Sequence, residues 1–219
     1  MSLHTAPVAA KDRFESLDVL RGVAVLGILM MNVQAFTMAS NAYAYPPAHM
    51  DLTGANLTVW YISHVFFEMK FITIFSALFG AGMLLMVGEE PDAPRKLHFS
   101  RMTWLLVIGL IHMFGLWFGD ILVTYAIGGF IIVFFRRMSP GKLIGWGLFW
   151  VALSGLLMVA IFASFTLLPA DMGPTDVGIA YSDEQLAELV NTYQSGYLPS
   201  RIPNALNGLG NILMFAFFI

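Results

Sequence analysis

The basic residues of this chain fall almost entirely in alternate gaps between long apolar runs, and that arrangement constrains the fold more than any motif does. The runs cover roughly residues 19–38, 57–88, 102–118, 121–135 and 143–168, and a sixth opens near Ile212. Lys11, Arg13 and Arg21 precede or open the first run. Arg95, Lys96 and Arg101 lie between the second and third, and Arg136, Arg137 and Lys142 between the fourth and fifth. The intervening gaps hold only Arg201, and Lys70 lies within the second run. Positive charge collects in cytoplasmic loops, so the N-terminus and each basic gap are expected on the cytoplasmic side.

Composition agrees with a membrane solvent. Hydrophobic residues make up 58% of the sequence and charged ones 11%, against about 25% charged in an ordinary soluble domain. Runs near 20 residues are what a hydrocarbon core of about 30 Å requires. In lipid a lone segment must satisfy its own N–H and C=O groups, so each run is expected to be a helix. The expected fold is therefore all-α: a polytopic transmembrane bundle over residues 13–219, with five complete spans and the start of a sixth. Residues 1–12 are expected to be a mobile cytoplasmic tail. The first run is too long for a cleavable signal and leads into further spans. The closing run, ILMFAFFI at 212–219, is too short to span, which reads as the N-terminal portion of a longer protein. With no cysteine, disulfides and thiolate metal sites are excluded. The segment 169–204 sets Asp171, Asp176, Asp183, Glu184 and Glu188 against Arg201, which makes a poor nucleic-acid surface.

Local signals divide the chain further. Pro46, Pro47 and Gly54 break an external loop at 39–56. The second run is too long for one perpendicular span, so its early part is expected to be an interfacial helix before a true span at 71–87. Glu89-Glu90-Pro91 ends that span. The third and fourth helices form a hairpin bending near Gly119 and Asp120 on the outer side, and the fifth ends before Pro169. Ser182 and Gln185 have capping-box spacing, which predicts a short polar helix at 183–195 outside the membrane.

Ionisable groups inside a bilayer are costly enough to need a reason. Asp18, Arg21 and Asn32 fall within about 60° of one another on the first helix, a polar stripe from the cytoplasmic mouth towards mid-membrane, while Gln34 points the other way. The plainer reading is an interfacial Asp18–Arg21 pair and one Asn bonded to a neighbouring helix. His112 lies in the outer half of the third helix, and Asp120 would be about 12 Å further along the axis if that helix continued. A neutral buried imidazole suits a general base, whereas a lone histidine on an apolar face is ordinarily a structural hydrogen-bonder. Asp120 reads equally as a hairpin-turn cap. Glu68 and Lys70 enter the second span from its outer end on different faces, with Lys70 able to snorkel. His64 and Glu68 have i,i+4 spacing. His49, in the outer loop beside Asp51, reads as solvated, and His4 and His98 as cytoplasmic residues without a signal. No HxxxH, Walker loop or GxSxG motif occurs, and no metal is expected.

Three blocks in order carry a resemblance: LDVLRGVAVLGILMMNVQAF (17–36), FFEMKFITIFSALFGAGM (66–83) and RMTWLLVIGLIHMFGLWFGDILVTYAIGGFI (101–131). They resemble the YeiB-like bacterial membrane proteins, a branch of the transmembrane acyltransferase superfamily that also contains the lysosomal heparan-α-glucosaminide N-acetyltransferase. The resemblance covers residues 14–137, with SRIPNALNGLGN (200–211) fitting more loosely. It implies a multi-pass protein of the bacterial inner membrane, longer than this chain. It also implies transfer of an acyl group from a cytoplasmic donor such as acetyl-CoA to a glycan, lipid or other small acceptor on the far side. The LDxLRG block matches Leu17, Asp18, Leu20, Arg21 and Gly22, and its closing Asn matches Asn32. In the lysosomal relative that Asn looks like part of the active site with a His in the following loop; the loop here holds His49 at a different spacing. The GxxH and GDI motifs match Gly109, His112, Gly119, Asp120 and Ile121, and the KF motif matches Lys70 and Phe71.

Joined to the residue reading, this makes His112, Asp120 and Asn32 the catalytic candidates. Asp18, Arg21, Glu68 and Lys70 are the candidates for binding donor or substrate. A transporter or lipid-binding protein, with the same stripe lining a path, is the competing class. A third is an assembly partner, homo-oligomers included, held by small-residue contacts such as Gly115 with Gly119 or Gly141 with Gly145.

Overall fold

The computed structural model describes residues 15–38, 43, 46–48, 50–88, 95–165, 167, 169, 172, 181–196, 208 and 212. Among them the regular elements are helical throughout. They are α1 (Glu15–Thr37), α2 (Gly54–Phe66), α3 (Lys70–Val87), α4 (Lys96–Gly115), α5 (Leu122–Ile132), α6 (Pro140–Phe165) and α7 (Asp183–Gln194), with 3-10 turns at Pro46–Ala48 and Val133–Phe135. The expected tail at 1–12, residues 89–94 after α3, half of 169–204 and all of the closing run but Ile212 lie outside the described residues.

Among the described residues four stretches are long and apolar enough to cross a membrane: Glu15–Thr37, Gly54–Val87, Lys96–Gly115 and Pro140–Phe165. The expected fourth run is shorter. Its 11-residue helix and 3-residue 3-10 turn rise about 22 Å together, less than the ~30 Å core. The run expected at 121–135 is filled by α5 and its 3-10 turn over 122–135, and Gly119 and Asp120 belong to the turn before it.

The helices bury small faces and expose large ones, the reverse of a soluble bundle. On α1 the buried residues are Ala24, Gly27 and Met31, one stripe at helical spacing, while Leu26 and Phe36 are exposed. No residue of α6 is buried, in keeping with a lipid-facing helix. Without a hydrophobic drive between helices in lipid, close backbone approach through small residues supplies the contact. A Cβ on Gly27 would fall inside the Phe71 ring of α3, so glycine there is what lets α1 and α3 pack.

The chain alternates direction along these contacts. Arg21 reaches the Leu78 carbonyl at 3.3 Å, and Gln34 donates to Ser63 Oγ at 3.0 Å. Hence α1 runs antiparallel to α3 and α2. Tyr125 of α5 meets Ser76 Oγ at 2.8 Å on α3, and Met83, Val87 and Val133 form a common buried cluster. The α4–α5 hairpin is the tightest pair: a Cβ on Gly109 would stand 2.8 Å from the Val123 backbone nitrogen. Backbone cannot rotate aside as a side chain can. Gly109→Ala is therefore expected to destabilise the protein by about 1–3 kcal/mol. Thermal unfolding of the purified protein checks it, and an unchanged midpoint would contradict this account of the hairpin.

The polar helix expected after Ser182 is present as Asp183–Gln194. Gln185 N–H donates to Ser182 Oγ at 3.2 Å and Ser182 N–H to Gln185 Oε1 at 2.9 Å, a complete capping box.

Candidate functional site

The α4–α5 turn brings together two of the sequence candidates. His112 stands on the last turn of α4, and residues 116–121 reverse the chain before α5. Asp120 Oδ1 comes to lie 2.8 Å from His112 Nδ1. Its other oxygen, Oδ2, accepts the Val123 backbone N–H at 2.8 Å. The carboxylate thus satisfies an otherwise unpaired amide of the first turn of α5 while holding the imidazole. The Asp120 side chain is 0% exposed and that of His112 32%, so a reactant can reach the ring but not the acid. Trp117 stands edge-on to the ring with centroids 6.5 Å apart and packs in turn on Phe36 at 4.7 Å. Met113, beside His112, is also met by Gly208. With Nδ1 engaged, Nε2 has no hydrogen-bond partner among the described residues.

A second polar group sits at the break between α2 and α3. Gly27–Phe71 and Gln34–Ser63 bracket residues 67–69 against the second half of α1. Met69 turns the chain there with φ 61°, a left-handed conformation rare for a residue with a side chain. Lys70 Nζ donates to the His64 carbonyl at 3.0 Å, filling an acceptor the interrupted helix leaves open. The His64 ring lies 4.0 Å from Glu68 Oε2 and stacks on Trp60. Tyr43, from the preceding loop, approaches His64, and its hydroxyl is pushed up to about 12 by burial and then by the charge of Glu68. The expected division of the long run near residue 70 is present, but Lys70 is engaged with backbone here.

The donor-side candidates are therefore split. Asp18 and Arg21 pair at 3.2 Å near the start of α1, whereas Glu68 and Lys70 belong to the break. Arg21 lines a pocket of about 260 Å³ with Phe75, Phe79, His98, Arg101 and Met102 among its walls. Asp18 and Asn32 do not line it. Asn32 is half-buried and its amide has no partner among the described residues; the helix-to-helix bond expected of an intramembrane amide is made by Gln34 instead. His49 lies outside the described residues.

Sequence reasoning missed His98. It is 1% exposed, and its Nε2 lies 2.8 Å from the Gly129 carbonyl of α5. The available signal was helical spacing: His98, Arg101 and Met102 at i, i+3 and i+4 share a face, and all three line the pocket.

Comparison with known proteins finds three bacterial relatives. The uncharacterized protein YxaH of Bacillus subtilis is 31% identical over 88% of this chain and 48% of its own length. The uncharacterized protein YeiB of Escherichia coli is 35% identical over 93% of this chain and 50% of its own. An uncharacterized 39.9 kDa protein of Bacillus acidopullulyticus is 28% identical over 74% of this chain and 44% of its own. The chain thus spans about half the length of the curated relatives it matches. No family model matches the chain, and no solved structure matches it significantly.

Proposed function

We propose that this YeiB-like chain is part of a membrane-embedded acyltransferase of the bacterial inner membrane, carrying an acyl group from a cytoplasmic acyl-CoA such as acetyl-CoA to an extracytoplasmic glycan, lipid or small acceptor. The observation that carries the reading is the His112–Asp120 contact, with one partner buried and the other reachable. Asp120 accepts the Nδ1 proton and fixes the tautomer, which leaves Nε2 as the base. Nε2 takes the proton of the acceptor hydroxyl or amine as its oxygen or nitrogen attacks the thioester carbonyl. The C–S bond then breaks, and the departing thiolate takes up a proton. Asn32 is the proposed donor to the oxyanion formed in between. Asp18 and Arg21 form the donor's mouth, Arg being suited to phosphate. Glu68 and Lys70 border the path between the two sides.

The reading includes five spans and a cytoplasmic N-terminus, supported by the partition of basic residues. The cysteine-free sequence permits a clean test. Single cysteines at Thr53 and Asp183 are expected to label from outside intact cells and one at Arg95 only after permeabilisation. The opposite pattern would reverse the topology.

One observation favours transport instead. The α2–α3 helix is interrupted beside the middle of α1, with a lysine and a glutamate at the break, and discontinuous helices are a recurrent feature of transporter binding sites. Inverted vesicles supplied with acetyl-CoA labelled in the acetyl group discriminate the two. Enzymatic transfer leaves label covalently bound to an acceptor in the lumen, whereas transport leaves an unmodified small solute there.

A further inference from the structure

The contact between His112 and Asp120 depends on a stretch of chain with no regular secondary structure of its own. The amides of Leu116 and Trp117 both donate to the His112 carbonyl, at 2.7 and 2.9 Å, and with them α4 ends. From Trp117 to Ile121 the backbone is neither helix nor strand. Holding such a stretch in one shape costs backbone entropy that no ladder of hydrogen bonds offsets, so side chains have to fix it.

Trp117 is the side chain placed to do so. Its indole folds back over Gly119, where an added Cβ would fall 2.3 Å from a carbon of the ring. It stands edge-on to the His112 ring, with centroids 6.5 Å apart, and edge-on to Phe36 of α1 at 4.7 Å. Edge-on packing is a favoured aromatic geometry at these separations. One side chain therefore touches the base, the residue before the acid, and a second helix. Gly119 immediately precedes Asp120, so the seat of the indole and the position of the carboxylate are coupled through a single peptide. A second segment bears on the same turn. A Cβ on Gly208 would stand 3.1 Å from the Phe118 carbonyl oxygen and 3.1 Å from Met113 Cγ. Phe36 also lies one helical turn beyond Asn32 on the same face of α1. Its contact with Trp117 thus turns the Asn32 face towards the imidazole.

We propose that Trp117 is the positioning residue of this site: it holds the α4–α5 turn in the shape that puts Asp120 on His112 Nδ1, and it keeps the Asn32 face of α1 against that turn. The kinetic part of this inference rests on the acyl-transfer reading; the bond it explains does not. Trp117 moves no proton and needs no contact with substrate. Without it the turn relaxes, and His112 loses the acceptor that keeps its hydrogen on Nδ1. The ring then samples both tautomers, of which one alone leaves Nε2 free to act as base.

The test uses the full-length protein with ¹⁵N in its histidine rings, the His112 signal being identified by its loss in His112→Ala. Wild type should show the Nδ1–H tautomer. Trp117→Ala should shift His112 to a mixture of tautomers. Gly119→Ala deletes no side chain but drives the indole off its seat, so it should do the same, and it carries the test if Trp117→Ala fails to fold. Trp117→Phe keeps an aromatic edge for Phe36 and should stay close to wild type. In the transfer assay, turnover should fall about 10²-fold in the alanine variants, the effect of a misplacement of about 1 Å, with KM unchanged. In an Asp120→Asn background Trp117→Ala should cost little more, because both act through one bond. An undisturbed Nδ1–H tautomer in Gly119→Ala and Trp117→Ala overturns the proposal and leaves the His112 reading standing. A raised KM at unchanged turnover also overturns it, since Trp117 would then be binding substrate. If wild type transfers no acyl group the acyl-transfer reading fails, and the tautomer shift alone decides the role of Trp117.

Discussion

His112→Ala is expected to lower acyl transfer by about 10²–10⁴, the contribution of a positioned acid–base group, while leaving the amount of folded protein unchanged. The ring is partly exposed and is bonded to Asp120 alone among the described residues, so its removal disturbs little packing and opens the site to water that can pair the freed Asp120 oxygen. Asp120 keeps its bond to the Val123 N–H. A loss confined to turnover, with substrate affinity preserved, is the mark of a group acting in the transition state. Normal transfer by His112→Ala would remove it as the base and direct attention to His49.

Asp120→Ala is expected to fail differently, by damaging the fold as well as the reaction. The residue is 2% exposed, and both its oxygens are engaged. Losing a helix cap costs about 0.5–2 kcal/mol, and leaving a buried N–H unpaired about 1–3 kcal/mol. These describe overlapping losses, so a fall of about 2–3 kcal/mol in stability is expected. Asp120→Asn separates the roles. Its amide oxygen can keep the Val123 bond, while its NH₂ then faces His112 and disfavours the Nδ1–H tautomer. Stability should fall less than in the alanine variant, and activity should lie between wild type and His112→Ala. Thermal unfolding and transfer rates on the same preparations measure both. Equal stability of wild type and Asp120→Ala would contradict the capping role.

The parts legible in the sequence are those written along one dimension. Apolar runs and capping spacing mark where helices start and stop, and Asp120 was legible as a cap. Its contact with His112 was not, because the pair looks about 12 Å apart on a continuing helix, and only the reversal after Gly115 closes it. His98 was illegible for a related reason: a histidine beside Lys96 and Arg101 reads as solvated until α5 lays the Gly129 carbonyl against it. The break at Met69 carried neither proline nor glycine to announce its positive φ, so the long run could be divided near residue 70 without showing that the chain turns left-handed there. Arg21 and Asn32 do share a helical face, yet the pocket takes only Arg21, because Gly82 and His98 that complete it come from other helices.

The most direct test of the central claim is release of free coenzyme A from acetyl-CoA by the purified protein in proteoliposomes, measured with a thiol reagent against His112→Ala. The account predicts release that requires an acceptor, deposits the acetyl group on it, and falls by about 10²–10⁴ in the variant. If the protein neither binds nor consumes any acyl-CoA, the acyltransferase reading is contradicted and transport takes its place.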